Sequence, residues 1–203
     1  MPSNREKKMI ELGIKKSELT EFLRKRLDRY GFGGCEISLT PLVSRIVVYL
    51  VDIHKFLGSG EKKRIILEEE IAKTFSISNP KIEIREVENP YLNAYIVVRR
   101  IGRAIERGIN YKRVANFYLR KVMDAGAVGV LIKVSGKIAG KERSRFQKFK
   151  DGYIIHSGNY KETLVDEAHY RASIPHGIVG VTVKILKEVP QEFIFEKELN
   201  ATS

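Results

Sequence analysis

The sequence predicts an α+β protein of two domains: an α-β-β-α-α-β unit, then two helices packed on a four-stranded sheet. Three observations predict it. Apolar residues recur at helical spacing in some stretches and alternate or cluster as β-branched runs in others. Glu88-Asn89-Pro90 places a proline break between two well-marked elements. Hydrophobic residues make up 43% of the 203 and charged residues 31%, enough apolar material for a folded core.

In chain order, residues 1–16 read as a flexible, polar extension. Ser17, with Glu18 and Thr20, supplies a helix N-terminus for an amphipathic stretch to Tyr30. Its Leu19, Phe22, Leu23 and Leu27 share one face, and Gly31-Phe32-Gly33-Gly34 stops it. Cys35 to Thr40 alternates as a strand and Arg45 to Val51 is rich in β-branched residues, with Thr40-Pro41 as the turn. A short segment ends at Gly58-Ser59-Gly60-Glu61. A helix follows from Lys62 to Phe75, carrying Ile65, Leu67, Ile71 and Phe75 as its apolar residues. After Asn79-Pro80, the alternation of Ile82, Ile84 and Val87 reads as a third strand, closing a first domain over residues 17–89.

The second domain covers residues 90–189. Leu92 to Arg107 and Tyr111 to Ala125 read as helices separated by Gly108. Four strands are expected at Gly129–Ser135, Gly152–His156, Thr163–Ser173 and Val179–Leu186, the third with a helical turn near Asp166-Glu167. Residues 190–203 form a short tail with a small acidic excess.

Several function classes fall away. The longest apolar run, Ile46 to Val51, has six residues, against the roughly 20 of a membrane-spanning helix. The first residues are charged but no apolar h-region follows, which argues against a secretory signal and for an intracellular protein. Cys35 is the only cysteine, so no intramolecular disulfide or cysteine-built zinc finger is expected. His54, His156, His169 and His176 are scattered, and no metal-ligand spacing, P-loop, nucleophile elbow or paired carboxylates stand out. Asp166, Glu167 and His169 lie close together, but adjacent strand residues point to opposite faces. No catalytic residue, cofactor or metal is expected.

Charge is the informative feature. The formal net charge is +12 and the pI about 9.7, which suggests a polyanionic partner. Residues 99–150 contain fifteen Lys and Arg against only Glu106, Asp124 and Glu142, so this quarter of the chain holds the whole excess. At about 100° per residue, Arg99, Arg100, Arg103 and Arg107 fall in one sector of the first helix of this domain. Val97, Ile101, Ala104 and Ile105 fall opposite. In the second helix Arg113 and Arg120 share a face with Asn116 between, flanked by Lys112 and Lys121, while Val114, Ala115, Tyr118, Leu119 and Val122 oppose them. Exposed helix faces normally mix signs. These cationic ridges predict phosphate contacts, and the apolar faces, consumed by the core, leave none for a membrane.

A basic loop from Lys137 to Lys150 adds Lys137, Lys141, Arg143, Arg145, Lys148 and Lys150, interleaved with Phe146 and Phe149. Both phenylalanines are expected to pack the loop down rather than to stack on bases. The arginines and lysines are expected to contact RNA backbone.

The α-β-β-α-α-β order with a glycine-containing turn between its inner helices is that of a type II KH domain, whose Gly-x-x-Gly loop approaches nucleic-acid phosphates. Longer stretches carry a more specific resemblance. They are Phe56-Leu57-Gly58, Asn79-Pro80, Ala104-Ile105-Glu106-Arg107-Gly108, Met123-Asp124-Ala125-Gly126-Ala127-Val128-Gly129-Val130 and Val134-Ser135-Gly136-Lys137. Asp151-Gly152-Tyr153-Ile154-Ile155-His156-Ser157-Gly158 and Gly177-Ile178-Val179-Gly180-Val181 complete the set. In collinear order over about residues 9–187, these resemble the universal small-subunit ribosomal protein S three in its archaeal or eukaryotic form. His156 leans slightly towards the eukaryotic form.

That resemblance implies a KH domain joined to a second α+β domain in the head of the small ribosomal subunit. The implied partners are small-subunit rRNA, mRNA and neighbouring head proteins, with no membrane. The location implied is the cytoplasmic ribosome, with a nucleolar stage if the chain is eukaryotic. It also implies that Lys112, Arg113, Arg120 and Lys121 grip mRNA where it enters the subunit and help separate its secondary structure. Arg99, Arg100, Arg103, Arg107 and the Lys137–Lys150 stretch would anchor rRNA. The family's KH loop puts glycine at position 61, where this chain has Glu61. A carboxylate there is unfavourable beside phosphate, so Gly58, Ser59, Gly60 and Glu61 are expected to grip RNA weakly or not at all. A ribosome-free RNA-binding regulator or nucleic-acid repair protein is the alternative reading.

Overall fold

Leu19, Leu23 and Leu27 recur every four residues, and the helix they define, α1 (Asn4–Leu27), buries all three completely or nearly so. In the computed structural model the described residues are 4–39, 44–58, 61–75, 77, 79–138, 143–175 and 177–188. α1 begins at Asn4 rather than Ser17, so the segment expected as a flexible extension is largely helical. The physical reason is composition: Arg5 to Lys16 is rich in Glu, Lys, Met and Leu, and only Gly13 opposes propagation from the packed half.

Two units are compact, Met1–Glu88 and Asn89–Ser203. In the first, β1 (Phe32–Leu39) and β2 (Ser44–Leu50) pair antiparallel, α2 (Ile53–Leu57) and α3 (Lys62–Phe75) follow, and β3 (Pro80–Glu86) returns parallel to β2. The sheet order is β1-β2-β3, with Ile46 opposite Ile82 and Val48 opposite Ile84. This is the type II KH arrangement. α3 buries Leu67 and Ile71, four residues apart, whereas Ile65 is exposed. The expected stripe was too wide: Ile65 lies about 200° around the helix from Leu67.

In the second unit α4 (Ala94–Glu106) and α5 (Tyr111–Asp124) are joined through Gly108, whose φ of 82° a side chain would strain. Asn93 and Asn110 cap them, accepting from the backbone N–H of Ile96 and Lys112. The sheet is β4 (Gly129–Gly136), β5 (Arg145–Gly152), β6 (Val165–Ile174) and β7 (Gly177–Leu186), antiparallel throughout in the order β5-β4-β7-β6. α4 and α5 cover one face, where Val97, Ile101, Val114 and Val122 meet Val130, Ile132, Val134, Val181 and Val183.

Two expectations change here. The second strand is Arg145–Gly152, not Gly152–His156, so half of the expected basic loop is an edge strand. The helical turn expected at Asp166-Glu167 lies just before β6, as α6 (Asn159–Leu164).

Candidate nucleic-acid interface

α5 presents its cations to solvent. Lys112, Arg113, Asn116, Arg120 and Lys121 are all exposed, while Val114, Ala115 and Val122 are buried on the opposite side. Arg113, Asn116, Phe117, Arg120, Lys121 and Asp124 line one shallow recess. Lys112 and Arg113 sit in the first turn, where the helix's own N-terminal partial positive charge reinforces their field. The sequence pattern did not single out Phe117. It lies 53% exposed among these cations, its ring edge-on to Tyr118 at 5.3 Å. Its signal was available: its helical position falls outside the apolar stripe.

α4 behaves differently. Arg99 and Arg100 are half-buried rather than raised on a free ridge. The Arg99 guanidinium lies over the Tyr170 ring at 4.9 Å and near Tyr95 at 5.6 Å, and Arg100 lies over Tyr91 at 5.4 Å. Arg103 is also half-buried, and of the four only Arg107 is exposed. Glu106 accepts hydrogen bonds from Tyr170 Oη (2.9 Å) and the Ser173 backbone N–H (3.2 Å), so it ties α4 to β6.

Beyond β4, Lys137, Arg143, Arg145, Lys148 and Lys150 are exposed; Lys141 lies outside the described residues. β5 alternates. Gln147 accepts from the Tyr111 hydroxyl at 3.0 Å and Phe149 packs edge-on to the Tyr111 ring, both on the helix-covered face. Phe146, Lys148 and Lys150 therefore point to the other face. Phe149 packs as expected; Phe146 does not, and is 66% exposed.

At the KH loop, Gly58 has φ 57° and ψ −135°, a conformation that favours glycine. Ser59 and Gly60, like the tail at 190–203, lie outside the described residues. Glu61 is exposed and pairs with Arg64 at 3.0 Å. The recess beside the loop is lined by Glu61, Arg64, Glu83 and Arg85, and Arg85 reaches Glu83 at 3.5 Å. Each of these arginines already has a carboxylate partner that a phosphate would need to displace. Glu83 is held below the usual carboxylate range, chiefly by its hydrogen bond from Arg45.

Among the described residues, no three or more His, Cys, Asp or Glu are grouped to hold a metal, and no helix is long and apolar enough to cross a membrane. Burial pushes the Cys35 thiol above its ordinary value, away from the thiolate that reactivity requires.

The family described as "Ribosomal protein S3, C-terminal domain" matches residues 101–185, within the second unit. Similarity to the small ribosomal subunit protein uS3 of Methanocaldococcus jannaschii is 35% identity over 95% of this chain and 94% of that protein. The uS3 of Methanococcus aeolicus is 37% identical over 96% of this chain and 91% of its own length. That of Methanoregula boonei is 36% identical over 95% and 85%. These relatives are archaeal, so the slight eukaryotic leaning of His156 finds no support, nor does the nucleolar stage attached to it. Similarity at this level across both units shows that the chain belongs to the archaeal-type uS3 family of small ribosomal subunit proteins.

Proposed function

We propose that this chain is a structural constituent of the small ribosomal subunit that binds rRNA and lines the channel by which mRNA enters. Membership of the uS3 family supports the ribosomal role, with rRNA and neighbouring ribosomal proteins as partners. The observation that carries the finer reading is the α5 ridge: Lys112, Arg113, Arg120 and Lys121 exposed together beside Asn116. Arg113 and Arg120 on one helix face, flanked on either side by exposed Lys112 and Lys121, fit a mobile, single-stranded phosphate backbone, because such an array needs no base-specific geometry. Arg107, Lys137, Arg143, Arg145, Lys148 and Lys150 then anchor rRNA, with Lys141 assigned alongside them from the sequence. Arg99 and Arg100 divide their role between covering tyrosines and reaching phosphate, and half-buried Arg103 is assigned to phosphate with them. The KH loop contributes little.

The test replaces Lys112 and Arg113 together with alanine and reconstitutes small subunits. Unwinding of a structured mRNA is expected to slow, while assembly and retention through a high-salt wash stay unchanged. Normal passage through the structured mRNA overturns the mRNA role; release of the protein in the wash counts against the structural one.

A further inference from the structure

The sheet face that α4 and α5 leave uncovered carries a second concentration of positive charge. Lys133 on β4 lies directly across from Lys148 on β5, and the same row continues through Thr182 to His169. The next row holds Phe146, Ser135, Gly180 and Arg171. Like charges directly opposite on adjacent strands are destabilising, so a face built for stability alone would separate Lys133 and Lys148. The only carboxylate on this face among the described residues is Glu167, and Lys184 holds it at 2.9 Å.

Phe146 stands in the middle of this charge. The residue is 66% exposed, and the Lys133 Nζ and Lys148 Nζ lie over its ring, 5.6 Å and 5.9 Å from the centroid, so a base that stacks there moves an ammonium group off the ring and towards its own phosphate. Beside it the floor is low: Ser135 turns its hydroxyl towards the Gly180 carbonyl at 3.4 Å, and Gly180 has no side chain. An exposed aromatic ring with two ammonium groups within reach and a low floor alongside offers a stacking surface for a planar base and two partners for its flanking phosphates.

We propose that the open face of the second sheet binds single-stranded RNA, with one unpaired base stacked on Phe146 and its flanking phosphates held by Lys133 and Lys148. The charge selects an anionic partner, and the exposed ring selects one with bases. The proposal rests on the reading of this chain as an RNA-binding protein and adds a base contact to it.

The chain has no tryptophan, so Phe146→Trp introduces its only tryptophan at the site, excited apart from the nine tyrosines. The full chain is titrated with a dodecamer of adenylate, with fluorescence anisotropy of an end-labelled copy reporting binding separately. Binding is expected to quench the tryptophan, whereas heparin, a polyanion without bases, occupies the lysines without quenching. Phe146→Leu is expected to weaken oligoadenylate binding about 5- to 150-fold with little change for heparin. Circular dichroism checks that both variants fold as the parent does, as expected for an exposed position. Binding by anisotropy with no quenching and no weakening for Phe146→Leu overturns the stacking site and leaves the mRNA-facing ridge standing. Failure of the parent chain to bind oligoadenylate at all overturns both.

Discussion

A methyl group at Gly102 would sit 1.9 Å from Cδ1 of Tyr170, because α4 lies directly on β6 at that point. The ring cannot retreat cheaply: its hydroxyl donates to Glu106 and the Arg99 guanidinium stacks over it. Overpacking at Gly102→Ala is therefore expected to cost about 3 kcal/mol, which leaves a net destabilisation of about 2 kcal/mol after the roughly 1 kcal/mol that alanine gains in helix propensity. A lower urea midpoint at unchanged m-value is the readout, and a raised midpoint would show that Tyr170 turns aside and leaves only the propensity gain. The same tyrosine explains a limit of sequence reading. A helical wheel correctly groups Arg99, Arg100, Arg103 and Arg107, but it cannot show that long side chains fold back over aromatic rings. Tyr170 comes from a strand about seventy residues later, so nothing near Arg99 in the sequence reveals the contact. Exposed Phe146 departs from the expected packing, and Phe117 escapes notice, for a related reason. An aromatic residue signals apolar burial by type, and only its place on the helix or strand says otherwise.

Single elements are held by contacts of equally long range. Asp166 on β6 accepts a hydrogen bond from the backbone N–H of Ala94, the first residue of α4, at 2.9 Å. A carboxylate there meets both an unsatisfied amide and the positive end of the helix. Asp166→Ala is expected to cost about 0.5–2 kcal/mol, seen as a lower thermal midpoint, with Asp166→Asn costing less because its amide oxygen still accepts. If both variants are destabilised equally, packing rather than the cap accounts for the effect. Its neighbour Glu167 faces the other way and joins β6 to β7. Burial alone would raise its carboxyl pKa, but the hydrogen bond and charge of Lys184, with Lys161 and His169 behind it, hold the pKa below the usual 4.5. A depressed folded-state pKa gives stability that is present above the unfolded value and lost as pH falls through the folded one. Glu167→Gln is accordingly expected to lower stability at neutral pH and to converge with the parent as pH falls below 4.5 and through the depressed folded-state pKa. A constant difference at every pH would show that the glutamate acts through packing. The helices and central strands were legible because burial imposes periods of 3.6 and 2 on them. β5 was not. As an edge strand with one solvent face it carries charge at Arg145, Lys148, Lys150 and Asp151 and has no β-branched residue, so Arg145–Lys150 reads as a loop until pairing with β4 is seen.

Across the whole molecule, charge is distributed by what it is paired with. Cations of the first unit meet carboxylates, as in Arg26–Glu70, Arg45–Glu83, Lys55–Asp52 and Arg64–Glu61. Such exposed pairs add little stability but remove the net field that attracts a polyanion. The basic excess of residues 99–150 has few acids in its own stretch to meet it, and α5 shows that excess to solvent. This segregation is visible in the sequence, and it places the proposed RNA surface away from the loop that the KH order alone would nominate. Two changes in the full chain separate the alternatives. Replacing Lys112, Arg113 and Arg120 with alanine is expected to reduce the slope of log affinity for single-stranded RNA against log salt by about 2, near 0.7 for each phosphate that the helix then leaves unneutralised. Glu61→Gly restores the loop glycine but leaves Arg85 tied to Glu83, and is expected to change affinity less than about fivefold, because releasing one exposed ion pair is worth only about 0–1 kcal/mol. Were Glu61→Gly instead to tighten binding tenfold while the α5 substitutions left the salt slope intact, the KH recess would be the principal RNA site. The charge on the second unit would then serve protein neighbours.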